Sequence, residues 1–276
     1  MGEPGPGGRT AAGRASGRAR GQHAGALLFA RYAYPPNAMG YCGPDAAGEL
    51  LERAAGGVDG ADDGLRWLAR GFEGAWPYLE LIAAANGIRD PLDRRVVEAY
   101  WIGNALLDRV PAAMTAASLE HRFRDRTGER SWERLVAAVP GAQPHHSFHV
   151  FGVYPWLGLL RAGRLDEPLL VLDRCRIRWG QVVAVVEDHA VVRSRPLEWD
   201  GRVLHEGEPR DEDVVVARDG HGLAGPLDPG DWCALHWDWV CERLDRRRLV
   251  ALQTRSRRQL AVVNALPFPA PAGVLA

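Results

Sequence analysis

The chain has 276 residues, 46% of them hydrophobic and 25% charged, with a formal net charge of -1. Such a composition excludes wholesale disorder, and a near-neutral balance excludes nucleic-acid binding driven by bulk positive charge. Every basic side chain besides histidine is arginine, and the four cysteines, Cys42, Cys175, Cys233 and Cys241, form no CxxC pair, so free thiols in a reducing cytoplasm are expected.

Residues 1–24 scatter Arg9, Arg14, Arg18 and Arg20 among glycine and alanine, and no apolar segment of signal-peptide type follows. They read as a disordered tail. Apolar runs such as Val153 to Leu160 are too short to span a membrane. Order is expected from Gly25. Tyr34-Pro35-Pro36-Asn37 is expected to break any helix, because proline removes a donor and restricts the residue before it. Asp45 then offers a cap for a helix over Ala46 to Arg53. Leu65, Leu68, Phe72, Trp76 and Leu79 recur at helical steps, and Asn86-Gly87 is a stop. Asp90-Pro91 predicts the start of a helix carrying Leu92, Val96, Tyr100 and Leu107. Two short helices are expected near Ala116 to Arg124 and Trp132 to Val139.

Beyond about residue 168 the pattern turns to short β-rich runs. Val182 to Val186 and Ala190 to Arg193 flank Glu187-Asp188-His189 as a hairpin. Val203-Leu204, Val214 to Val216 and Cys233 to His236 continue the strands, and Arg243 to Gln259 reads as one closing helix. The fold class is α+β: an all-helical domain over 25–165, a small β-barrel domain over 170–264 ending in a helix, and a loose tail over 265–276.

Two stretches carry chemistry. One is Cys175-Arg176-Ile177-Arg178-Trp179-Gly180-Gln181-Val182; the other is Gly230-Asp231-Trp232-Cys233-Ala234-Leu235-His236, followed by Leu244-Asp245 at the mouth of the last helix. Their order and spacing resemble the HypC/HupF family of [NiFe]-hydrogenase maturation chaperones, over about residues 171 to 264. The resemblance implies a small OB-like barrel. It also implies that Cys175, assisted by His236, binds an iron fragment bearing cyanide and carbonyl ligands. A HypD-type maturation protein and the immature hydrogenase large subunit are the implied partners, with no nucleic acid and no membrane. A thiolate suits low-spin iron, an imidazole is a borderline second donor, and an imidazolium nearby would keep the thiol reactive. The sequence departs from the family in three ways: Cys175 is internal, where the family's cysteine is the mature N-terminus; Trp179 replaces a proline; and the connection between Cys175 and His236 is longer, with an insertion around Glu206 to Pro226. The phrases Ala30 to Asn37, Tyr41-Cys42-Gly43-Pro44 and His145-His146-Ser147-Phe148-His149 are similar to an uncharacterised actinobacterial family.

Those histidines, with Cys42, are secondary metal candidates: His145 and His149 stand four apart, the step that places two ligands on one helical face. Each candidate has a plain structural reading beside the chemical one. Cys175 packs well as a small hydrophobe, His236 serves as a satisfied core histidine, and Cys42 sits at a tight turn. The arginines of the closing helix read as its wet face, and Cys233, on the opposite strand face from His236, as packing. With no phosphate loop, no Gly-x-Ser-x-Gly and no His-Glu-x-x-His, the expected function is an assembly chaperone and not an enzyme. The alternatives are a metal-dependent enzyme built on the histidine cluster of the helical domain, and a cargo-free interaction module.

Overall fold

Amphipathic spacing builds the first half of the computed structural model, which describes residues 11–56, 63–126, 132–133, 135–136 and 139–266. The helices are α1 (Ala11–Ala38), α2 (Ala47–Ala54), α3 (Asp63–Arg70), α4 (Trp76–Ala85), α5 (Arg94–Trp101) and α6 (Ala112–Phe123). A single turn, α7 (His146–Phe148), runs into a π-helix over His149–Val153, followed by α8 (Trp156–Arg161) and α9 (Asp166–Cys175).

Several boundaries differ from the sequence expectation. α1 begins at Ala11, inside the segment expected to be a tail, and it includes Pro35 and Pro36. Both prolines fall near its end, where little ladder remains to be broken. Asp45 is not a cap: α2 starts from Ala46 with no side-chain hydrogen bond. The cap of α5 is Asp93, whose carboxylate accepts from the Arg95 amide, while Asp90 accepts from the Leu92 amide and pairs with Arg66 at 2.7 Å. The helix expected near Trp132 to Val139 and the tail beyond Leu266 lie partly and wholly outside the described residues.

The second half is a barrel. β1 (Arg178–Val186) and β2 (His189–Ser194) form the expected hairpin, and the ring runs β1, β2, β5 (Arg210–Val215), β9 (Trp239–Leu244), β8 (Trp232–His236) and back to β1. All contacts are antiparallel except β5 with β9, a single parallel pair between Val215 and Trp239. This is an OB-like, five-stranded Greek-key barrel, thin along one seam. Val203-Leu204 falls at a separate small hairpin, β3 (Leu197–Trp199) with β4 (Leu204–Glu206), and β6 (Ala217–Arg218) pairs with β7 (His221–Gly222). The closing helix, α10 (Arg246–Ala265), starts after β9, with Asp245 as its cap.

The residues that carry the family resemblance position the backbone. Gly180 lies where β1 and β2 approach so closely that a Cβ would come within 2.3 Å of Val192 Cγ1. Asp231 accepts from the Asp228 amide and closes the turn before β8; Asp245 accepts from the Arg248 amide.

Val182, Val192, Val214, Cys233, Leu235 and Val240 fill the barrel interior. The largest core is shared by both halves: Phe29, Tyr32, Tyr34 and Trp101 of the helices pack in one cluster with Ile177, Trp239, Cys241 and Leu249. Arg246, Arg247, Arg257 and Arg258 of α10 are exposed, as expected of a wet face, whereas Arg248 and Arg255 are not. Arg248 is buried against Glu242, Arg255 pairs with Asp108 and Arg257 with Glu206. Among the described residues no helix is long and apolar enough to cross a membrane.

Candidate metal centre

Three donors converge at the seam between barrel and helices. His236 ends β8, Cys175 is the last residue of α9, and His146 opens α7; one ligand atom from each lies within 4.8 Å of the others. All three are buried, with Cys175 8% exposed and His236 fully enclosed. The imidazoles of His146 and His236 meet edge to face at 5.1 Å between centroids, flanked by the Trp101 indole.

The backbone of α1 decides what His236 offers. A helical carbonyl ordinarily accepts from the amide four residues on, but Pro36 has no N–H to give to Tyr32. The Tyr32 carbonyl instead accepts from His236 Nδ1 at 2.6 Å. That bond fixes the tautomer, so Nε2 carries a lone pair, and Nε2 is buried without a hydrogen-bond partner. Ligating histidines characteristically show this pattern, with one nitrogen anchored on a carbonyl and the other bare. The expectation that the paired prolines exclude helix thus misses their use: they release a carbonyl for the barrel.

His146 is more fully engaged. Its Nε2 donates to the Cys175 carbonyl at 2.7 Å and its Nδ1 meets the Tyr100 hydroxyl at 3.2 Å. As a ligand it must exchange one of these bonds. Cys175 lies among Val150, Leu157, Leu172 and Trp237 and lines a cavity of about 210 Å³, which Cys42, Tyr41, Tyr154 and Trp237 also line.

Burial sets the protonation. It pushes the Cys175 thiol well up, with Cys42 nearby adding to the shift. It pushes His146 down to about 4 and His236 far below the usual imidazole range. The resting trio is therefore a neutral thiol and two neutral imidazoles. This corrects the expectation of an imidazolium that keeps Cys175 reactive: the site is enclosed, and its cysteine ends a helix.

The residues beside the site hold it in place. Trp237 has φ +53° in the two-residue turn from β8 to β9, a left-handed conformation unusual for a bulky side chain. Its amide donates to the Arg174 carbonyl at 2.8 Å, its carbonyl accepts from Arg178 at 2.6 Å, and its indole stacks on Tyr41 at 4.4 Å. Arg178 is fully buried and pairs with Glu212, which also accepts from Ser194. None of these roles is legible from the residue types alone. The signal for the Tyr32 anchor was present, however, in the position of Pro36.

The other candidates are dispersed. His145 caps α7, its Nδ1 accepting from the Ser147 amide at 3.2 Å, and burial holds it down to about 3. His149 meets the Tyr78 hydroxyl at 3.4 Å and lines a different cavity. Cys42, its thiol pushed up to about 12 by burial, lines both cavities but is not one of the three clustered donors. The one-face geometry expected for His145 and His149 fails because His145 is the extended N-cap residue of α7, its ring turned onto the Ser147 amide, and so is not on the helix face that carries His149. Cys233 packs inside the barrel and Cys241 in the shared core, both as free thiols.

The donor set fits a transition metal. Two imidazoles and one thiolate suit zinc or iron, and the bare, anchored His236 Nε2 is a position a metal would satisfy.

A family model described as a family of unknown function, DUF6390, matches residues 21–269. No curated protein and no solved structure matches the chain significantly.

Proposed function

The chain belongs to DUF6390, a family of unknown function, and from its buried donor cluster we propose that it is an accessory protein of metallocentre assembly. One observation carries the reading: three separate elements bring His146, Cys175 and His236 together, and His236 presents an unpartnered nitrogen. Cys175 and His236 are the pair that the resemblance to HypC/HupF implies, and the OB-like barrel agrees with it. Iron, bearing cyanide and carbonyl, is the cargo on this account, with the hydrogenase large subunit and a HypD-type protein as partners. The bound metal supplies a soft centre with room for further ligands. The chain contributes a thiolate, two imidazoles and a water-poor apolar surround.

Delivery requires an exit. The cavity of about 210 Å³ beside Cys175 is walled by Trp237 and Tyr41, and Tyr41 is 43% exposed, so displacement of this stacked pair by a partner would open the site. The test is anaerobic co-purification with a hydrogenase large subunit, read by infrared spectroscopy. Cyanide and carbonyl stretches present in the wild type and absent in Cys175→Ala are expected, together with loss of maturation. Normal maturation with Cys175→Ala would contradict the proposal.

The enclosure of all three donors favours a second reading, a resident ion in a metal-dependent enzyme. An ion that stays with the chain after the large subunit is added would identify it.

A further inference from the structure

A second and larger cavity, of about 870 Å³, shares Tyr41, Cys42 and Tyr154 with the smaller one. Its buried lining has no acidic group. Arg122, on α6, lays its guanidinium over the rings of Tyr78 and Phe123 at 4.8 and 4.6 Å. Its Nη2 donates to the Glu73 carbonyl at 3.1 Å, whereas Nη1 is buried with no partner. His149, 3% exposed, also lines the cavity, and its Nε2 is likewise buried and unpartnered.

The Tyr78 hydroxyl meets His149 Nδ1, and a hydroxyl hydrogen turned to that nitrogen leaves the ring hydrogen on Nε2. Burial and the Arg122 charge keep the ring neutral. Nε2 therefore carries the hydrogen and is a donor. Tyr154 stacks edge-on against His149 at 4.4 Å, and burial keeps its phenol protonated, a third donor on the same wall. Gly74 keeps this wall open: a Cβ there would stand 2.9 Å from His149 Nε2 and 3.7 Å from the Tyr154 hydroxyl. At the mouth the charged residues are exposed and mixed, Arg70 and His121 with Glu73 and Asp125.

We propose that this cavity binds a small ligand through an oxyanion group, a carboxylate or a phosphate, accepted by Arg122 Nη1, His149 Nε2 and the Tyr154 hydroxyl. Buried donors without acceptors are costly, and an anion satisfies Arg122 Nη1 and His149 Nε2 together while also accepting from the Tyr154 hydroxyl. Arg122 is the charge that recognises it, and Gly74 is the gap that admits it. The inference stands independently of the metal reading, since none of the three clustered donors takes part.

The experiment is calorimetric titration of the full chain with inorganic phosphate and, in a separate arm, succinate. One equivalent of one of these probes is expected to bind the wild type, the arm that responds naming the ligand's class. Gly74→Ala, which removes no donor, is expected to weaken binding at least tenfold. Arg122→Lys, which keeps the charge and loses the fork, is expected to do the same. Melting curves identify which variants remain folded. Failure of both probes to bind the wild type saturably overturns the proposal, as does wild-type affinity in a folded Gly74→Ala or Arg122→Lys protein.

Discussion

At the residue scale the decisive feature of Cys175 is the proton on its sulfur. With its thiol held well above the usual range by burial, a metal must displace that proton, whereas His146 and His236 are already neutral at pH 7. Apparent metal affinity should therefore rise by about tenfold per pH unit between pH 6 and 8, one thiol proton leaving per ion. Chelator competition at several pH values measures this, and a flat profile would mean the thiol is not a ligand. Cys175 and His236 were named from the sequence through two separate motif spacings, Cys175 to Gly180 and Asp231 to His236, and the fold brings their side chains to one seam with the cysteine at a helix end. His146 was visible only as one of a histidine group, since its true partners come from distant elements. Local spacing presumed one regular helix over all three, whereas His145 is its extended cap, and the three histidines have three different destinations.

Pro36 and Asp245 make the same point for whole elements. Restoring an amide with Pro36→Ala gives the Tyr32 carbonyl a second donor that competes with His236 Nδ1. Loss of such an anchoring bond typically costs about 10- to 100-fold in metal affinity, so a clear weakening is expected in the same competition assay. Unchanged affinity would remove Pro36 from the account. Asp245→Ala should instead cost about 1 kcal/mol of stability through the lost cap of α10 and leave metal affinity intact, as denaturant unfolding and titration would separate. The β1–β2 hairpin was legible from alternation around Glu187-Asp188. β9 was not, because Trp239 to Cys241 are buried without alternation and the strand runs directly into the Asp245 cap.

For the whole molecule, the class and the order of its parts were legible from the change of period near residue 168. The seam was not. A sequence read in halves assigns each half its own core, yet Phe29 and Trp101 share one with Ile177 and Trp239, and Arg247 and Arg255 of α10 reach Glu98 and Asp108 in the helical half. A shared core of this kind should give a single unfolding transition; two resolved transitions would separate the halves. The four buried histidines at and around the seam also set the acid limit. His145, His146, His149 and His236 are neutral in the folded chain and charge on unfolding below the ordinary imidazole value of 6.5. The unfolded state thus binds more protons there, so stability is full above about pH 6.5 and falls as the pH drops. For His146 the window closes near its folded value of about 4, and for His145 near about 3. Each histidine contributes roughly 1.4 kcal/mol per pH unit within its window. Denaturant unfolding at pH 7, 6 and 5 should show a steepening loss, and equal stability at pH 7 and 5 would contradict the neutral cluster.

The most direct measurement for the centre itself is an anaerobic titration with cobalt(II), followed by optical absorption. One equivalent should bind with the sulfur-to-metal charge-transfer band of a thiolate ligand, and that band should vanish in Cys175→Ala and weaken in His236→Ala. Absence of the band in the wild type, or its persistence without Cys175, would contradict a metal centre at this seam.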